Sequence, residues 1–598
     1  MFERLVWLAP ALVVVAGAVR PRAGLVALAA CLPFFGTSRG GPYLAALDAA
    51  CVAAILLSLR EPRPARGGLD RAVLAFLAVG LASCVPLAYH PPSWQPAVLA
   101  GLLHALPNAP TWSALFTWRA LVDSLLGAGL FFATRRAFAG RSARPLALGV
   151  GAGLALLVML GLLESAGMVD LGGYRSIAAE GRLHSLFSNS GWLGEYLVIA
   201  APFALAPLIA ARGILRLAGH ALSALCAAAL LLSHQRGGWL AALVVCLTAA
   251  GLVGRARWRE PAARRAAAGV LIAVTAVAGG IAVTHPGFVA GLSSRFTQSD
   301  LYLRPRMWLA AAETARERPL LGWGVGSYEF AADRLASSAG VPATAHGEAH
   351  NTVLQVAAER GLLGVAALAL LAAAALDSAR RALARDGDER TLAMGRALSL
   401  AGLAAYALVQ YVFFVPPVAA LAWMLLGCGA QEATGDERSY RRASLALVTA
   451  SALLAVWQAV AVAPVPAPGD RSYGFHAPEP LPDGSTMEWT EGHAARRLAC
   501  RGRWLVLDLL NGHPAGATRP IHVSVRADGA AVAAPQIRGG RLTLRVPIGD
   551  ACADGSVVVQ LAVSPTFRPF SAWREDPALP RSNDERELGV VVRRLAVE

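Results

Sequence analysis

Residues 146–166 read LALGVGAGLALLVMLGLLESA, an apolar run whose only charged side chain is Glu164. A helix of that length reaches about 30 Å, the thickness of the hydrocarbon core of a bilayer. Further runs of this character lie at 5–19, 23–37, 44–59, 72–89, 119–134, 192–211, 217–232, 238–253, 266–284, 362–376, 396–415, 418–430 and 443–462. The 598-residue chain is 56% hydrophobic and only 16% charged, with a mean hydropathy of +0.50. A soluble chain carries roughly a quarter charged residues. The pattern predicts a polytopic all-α membrane domain of about 12–14 spans over residues 1–465.

The net charge of +15 could suggest nucleic acid, but its distribution argues for topology. The chain has no Lys, so all 54 basic residues are Arg, and residues 466–598 hold 16 Arg against 15 acids, leaving +14 on the apolar part. Arg-rich connectors at 60–71, 135–144, 212–216, 255–265, 380–396 and 438–442 alternate with Arg-poor or longer ones. By the positive-inside rule the first set is cytoplasmic. That places 91–117, 169–191, 233–236, the long loop 285–361 and the tail outside, with no nucleic-acid partner implied.

Residues 466–598 change character. Short apolar or alternating runs at 504–509, 521–526, 542–546, 557–563 and 588–593 are separated by turn residues such as Ala527-Asp528-Gly529 and Arg538-Gly539-Gly540. This spacing predicts an extracytoplasmic β-sandwich. Six of the eight cysteines lie in apolar runs without metal-site spacing, while Cys500 and Cys552 fall in this tail. They can pair there if the compartment is oxidising.

Candidate chemistry gathers in the outer connectors. In Leu303-Arg304-Pro305-Arg306-Met307-Trp308, Pro305 suits a helix start and Pro319 a stop. This reading sets Arg304 and Arg306 at a helix N-terminus that favours anions, although solvated arginines fit the segment equally. In the stretch from His346 to Gly361, Asn351 suits an N-cap and Gly361 a stop, so His350 sits at the positive end of a helix. A neutral, proton-accepting ring is favoured there, as a general base requires. Arg236, in Ser233-His234-Gln235-Arg236-Gly237, lies at an outer mouth between spans, where an arginine can also simply snorkel.

In this order the elements resemble the O-antigen ligase and O-antigen polymerase family of bacterial membrane glycosyltransferases. The likeness rests on four stretches: Arg182 with Phe187-Ser188-Asn189-Ser190; Ser233 to Gly237; Arg304 and Trp308 with Pro319-Leu320-Leu321-Gly322-Trp323-Gly324; and His350-Asn351 with Glu359-x-Gly361-Leu362-x-Gly364. The resemblance implies an undecaprenyl diphosphate-linked glycan donor and an acceptor that is a glycan, lipid A-core or protein. It also implies transfer outside the inner membrane with no metal and no cofactor. His350, Arg304 and Arg236 then become catalytic, and Arg306, Arg182, Asn351, Trp308, Asn189 and Glu359 substrate-binding. A metal-dependent oligosaccharyltransferase is disfavoured because the first outer loop, 38–43, has no acid. The rival class is a transporter or flippase of lipid-linked glycans. Such a protein would place its key polar groups near the bilayer midplane, where these spans hold few, such as Asp48, Asp123, Glu164 and Glu195, and Arg119 can pair with Asp123 at i, i+4.

Overall fold

A computed structural model describes residues 6–36, 41–89, 112–169, 171, 182–258, 300–328, 331–332, 348–429, 437–461, 472–476, 478–481, 484–513, 516, 519–528, 530–552, 555–567, 569 and 588–598. Among these, the helices are α1 (Leu8–Val19), α2 (Pro21–Cys31), α3 (Gly41–Ser58), α4 (Gly68–Tyr89), α5 (Trp112–Phe138), α6 (Arg144–Ser165) and α7 (Ser190–Ile209). There follow α8 (Ile214–Leu232), α9 (Arg236–Trp258), α10 (Asp300–Glu317), α11 (Thr352–Leu383), α12 (Gly387–Ala407), α13 (Pro416–Cys428) and α14 (Glu437–Ala461).

The opening run is α6, and with stretches of α4, α7, α8 and α11 it is long and apolar enough to cross a membrane. Five shorter apolar helices accompany them among the described residues. The runs read at 5–19 and 23–37 become a hairpin, broken where Arg20 is extended ahead of Pro21. Helices of 12 and 11 residues reach only about 16–18 Å, so neither crosses alone. The run at 266–284 lies outside the described residues. The run at 396–415 is helical only to Ala407; the chain then turns through 408–415 before Pro416 opens α13. Val415 is extended, as a residue preceding proline must be.

The connectors segregate by composition, as their arginines predict. Arg-rich ones meet at one end, where Arg135 pairs with Asp70 at 2.9 Å, Arg141 with Glu61 at 2.9 Å, and Arg71 donates to the Glu437 carbonyl at 2.7 Å. The Arg-poor ones meet at the other. There Tyr406 donates to Gly191 O at 2.9 Å, and Gln235 to Ser190 Oγ at 3.0 Å.

The C-terminal region is a β-sheet region. Its strands are β1 (Ser472–Phe475), β2 (Glu479–Pro480), β3 (Thr486–Ala499), β4 (Trp504–Asn511), β5 (Ile521–Ala527), β6 (Ala530–Ala533), β7 (Gln536–Ile537), β8 (Gly540–Pro547), β9 (Ser556–Ser564) and β10 (Val591–Val597). Four of the five runs read as strands fall largely in one, while that at 588–593 enters β10 only from Val591; the turns sit at Asp528 and Gly539-Gly540, all with positive φ. Strand β3 was not legible because Glu488, Glu491, Arg496 and Arg497 interrupt its apolar pattern. It joins the region together, pairing β10 through its first half and β9 through its second. Leu505, Leu507 and Leu509 of β4 meet Val523 and Val525 of β5 and Val559 and Leu561 of β9 in one core.

Cys500 and Cys552 form a disulfide across 52 residues. Closing a loop of that length in the unfolded chain is worth about 4 kcal/mol in the chain-entropy model. Reduction is therefore expected to lower the unfolding temperature of this region while leaving that of the helical part unchanged. Calorimetry with and without reductant checks this.

Candidate active site

The turn at 408–412 organises the site. Asn351 and Thr352, at the start of α11, hold it rung by rung. Asn351 Nδ2 donates to Leu408 O at 3.0 Å, Thr352 Oγ1 donates to Gln410 O at 2.8 Å, and Val412 N donates to Thr352 Oγ1 at 3.2 Å. Asn351 is also the expected N-cap, its side chain accepting from Leu354 N at 3.0 Å.

His350 precedes that cap with φ +46°, a left-handed backbone uncommon for a non-glycine residue. Its Nδ1 lies 2.8 Å from Gln410 Oε1, and Gln410 Nε2 donates to Glu348 Oε1 at 2.6 Å. These bonds are mutually determining. A carboxylate only accepts, so the amide must turn its NH2 to Glu348 and its oxygen to His350. Nδ1 must then carry the ring proton, leaving the Nε2 lone pair to accept another. Glu348 is almost buried, at 9% side-chain exposure, whereas the imidazole is 28% exposed. A substrate hydroxyl can therefore reach the ring.

Arg304 meets the same turn, its Nη1 donating to Val409 O at 2.8 Å. One expectation is corrected here. Helix α10 begins at Asp300, so Pro305 is interior and Arg304 stands in the second turn, away from the helix N-terminus. Residues 300–303 extend the helix upstream of the proline, so the anion-favouring end of the dipole is not at Arg304. Its position comes from Val409 instead. The side chain of Arg306 lies outside the described residues.

Arg236 is the first residue of α9, and the adjacent Gly237 packs on the turn so closely that a Cβ there would lie 3.2 Å from Val409 Cγ2. Gly237, the neighbour of Arg236, and Arg304 thus both border Val409. Arg182 stands at the end of α8, tied by Leu183 N to Leu232 O at 3.0 Å. Asn189 caps α7, accepting from Gly191 N at 2.7 Å. Trp308 lies half-buried on α10.

Glu359 is buried below His350 and accepts from Gln355 Nε2 at 2.8 Å, while Gln355 Oε1 accepts from Ala349 N at 2.7 Å. The glycine motifs explain one another. Gly361 breaks α11 with φ +63°, and the segment from Pro319 to Gly324 threads along the break. Leu362 N donates to Pro319 O at 2.7 Å, Trp323 N to Ala358 O at 2.9 Å, and Gly324 N to Glu359 O at 2.8 Å. A Cβ on Gly361 would lie 2.3 Å from the Leu320 carbonyl, so no other residue fits. Arg318 closes the clasp with its guanidinium 4.0 Å above the Trp323 ring, and burial pushes its pKa down to about 10, leaving it charged at neutral pH.

Sequence reasoning missed Glu348 and Gln410. Glu348 lay within the His346–Gly361 stretch, and Gln410 was a lone amide inside an apolar run read as a span. That misfit was the available signal.

Residues 221–369 match the family model described as O-antigen ligase. Over these residues the chain is similar to O-antigen ligases. A search of curated proteins finds no match. The match includes Arg236, Arg304, His350, Asn351 and Glu359, and stops before the turn at 408–412.

Proposed function

We propose that this chain transfers glycan from an undecaprenyl diphosphate-linked donor to an acceptor hydroxyl, with His350 as base and Arg304 and Arg236 facing the diphosphate. The observation that carries this reading is the Glu348–Gln410–His350 relay beside the Val409 carbonyl that aims Arg304. His350 Nε2 takes the acceptor hydroxyl proton as that oxygen attacks the anomeric carbon. The bond from that carbon to the diphosphate oxygen breaks, and undecaprenyl diphosphate leaves with the bonding pair. Guanidiniums met by that developing charge make charge-assisted, bidentate hydrogen bonds, the task a divalent cation performs elsewhere. Arg306 and Arg182 are secondary contacts for the donor, with Trp308, Asn189, Asn351 and Glu359 shaping the walls.

The division of the connectors supports an outward-facing site in a bacterial inner membrane, with residues 1–465 as the membrane domain, the loop 285–361 as its catalytic element, and 466–598 as an outer module. The single core shared by β4, β5 and β9 supports a sandwich for that module.

Purified full-length chain in detergent, given undecaprenyl diphosphate-linked oligosaccharide and an acceptor glycan, is expected to release undecaprenyl diphosphate with a chelator present. Loss of release under chelation would overturn the metal-independent mechanism. No release under any condition would overturn glycosyl transfer itself.

Gln410 acts as a positioning residue. Gln410→Leu is expected to cost about 10- to 100-fold in kcat by freeing the tautomer, as removal of a partner that orients a histidine does. Gln410→Glu, which still accepts from Nδ1, should recover part of the rate and move the pH profile upward, because a carboxylate stabilises the imidazolium. An unshifted profile in Gln410→Glu would show that the amide serves the fold alone.

A further inference from the structure

At the end where the Arg-rich connectors meet, the segment joining α3 to α4 borders a cavity of about 210 Å³, many times the roughly 10–15 Å³ that one water needs. Ile55 of α3, Leu74 of α4 and Phe132 of α5 give it apolar walls, with Leu59 from the connector. Helices α3 and α5 meet there at a glycine: a Cβ on Gly129 would lie 2.6 Å from Ile55 Cδ1. The remaining lining is basic. Arg63 and Arg66 come from the connector, Arg135 and Arg136 from the last turn of α5, and no acid lines the cavity among the described residues.

These arginines divide by what they touch. Arg135 pairs with Asp70 and donates to Ala65 O, while Arg141, just beyond α5, pairs with Glu61. Asp70 in turn accepts from Gly67 N, so the connector is tied down at three points. Pro62 and Pro64 stiffen it on either side of Arg63 by fixing φ. Arg63, Arg66 and Arg136 take no part in this. None of the three makes a side-chain hydrogen bond or ion pair among the described residues; Arg63 and Arg66 are exposed and Arg136 half-buried. A charge that only fixes topology can stand anywhere on its loop. Here three stand round one apolar-walled cavity, on a connector held in place by the other arginines. Val52, Leu56 and Leu59, at i, i+4 and i+7, are all exposed along one face of α3, and the last of them lines the cavity.

We infer that this cavity binds the headgroup of an anionic glycerophospholipid, whose acyl chain lies along Val52, Leu56 and Leu59. The site is independent of the transfer chemistry. A guanidinium matches the oxygens of a phosphodiester with paired, charge-assisted hydrogen bonds, and Arg63, Arg66 and Arg136 have those donors to give. Basic pockets between apolar helices are where such headgroups are held. A headgroup that carries an ammonium would bring its own cation against three guanidiniums, so a head without an amine is selected. The apolar stripe selects a lipid over a free phosphate, because only an acyl chain covers it.

The test is native mass spectrometry on full-length chain in detergent, with phosphatidylglycerol, cardiolipin and phosphatidylethanolamine of matched acyl chains as probes and glycerol 3-phosphate as a soluble competitor. Phosphatidylglycerol or cardiolipin is expected to bind more tightly than phosphatidylethanolamine. Its affinity should fall on the order of ten- to a hundredfold in the double variant Arg63→Met, Arg136→Met, the value of hydrogen bonds to a charged group. The pair Arg212→Met, Arg216→Met removes the same charge from another Arg-rich connector and should bind like wild type. Without lipid, the first double variant should unfold at the wild-type temperature, since neither side chain has a protein partner among the described residues. Added phosphatidylglycerol should then raise the unfolding temperature of wild type alone. The site is overturned if phosphatidylethanolamine binds as tightly, if the Arg63 and Arg136 variant binds like wild type, or if the Arg212 and Arg216 variant loses as much. Unfolding of the lipid-free double variant at a lower temperature would make these arginines structural. Displacement of the lipid by glycerol 3-phosphate would make the site one for a small phosphate and refute the lipid.

Discussion

His350→Ala is expected to lower the rate of undecaprenyl diphosphate release by about 10²–10⁴-fold, the contribution of a well-placed general base. The expectation rests on geometry in which Gln410, turned by Glu348, places the ring proton on Nδ1 and exposes the Nε2 lone pair. Folding should survive. The imidazole is partly exposed, and the cap and turn contacts are made by Asn351 and Thr352. A second variant separates chemistry from structure. His350→Gly suits a φ of +46° better than histidine does, so it should match or exceed wild type in thermal stability while being as inactive as His350→Ala. Wild-type-like release by either variant would remove His350 from the mechanism.

Arg304→Met is expected to reduce kcat by about 10²–10³-fold, the cost of deleting one preorganised donor to a developing charge. The Val409 carbonyl engages Nη1 and so orients the planar guanidinium. Because the charge it meets grows during bond cleavage, kcat should fall more than KM rises. Arg304→Lys keeps the charge but loses the bidentate fork, so it should recover only part of the rate. A Met variant that changes KM alone would recast Arg304 as a donor-binding residue with no part in the chemical step.

The apolar helices were legible because hydrophobic length is a local property; five of those described are long and apolar enough to cross a membrane. Residues 146–166 announce a span without reference to anything distant, and the arginines of 135–144 announce a side. The same holds for the Asn351 cap, the stop at Gly361 and the punctuation of the C-terminal strands. Errors fell where local rules compete. Pro305 has the chemistry of a helix start, yet residues 300–303 continue the helix upstream of it. The run at 396–415 is apolar in its second half apart from Gln410, yet eight of its residues form a turn before Pro416.

The sequence by itself determined that this chain is largely apolar helix, β-rich at its C-terminus, and equipped with arginines and a histidine in its connectors. Only the tertiary structure decided which of them meet. Val409 and Gln410 lie 105 and 60 residues from Arg304 and His350, and no pattern with a period of two or 3.6 residues reaches across such gaps. A tautomer, likewise, is a property of the atoms around a ring. It was set by an amide whose own orientation depends on a third side chain, and that chain of dependence exists only in the folded molecule.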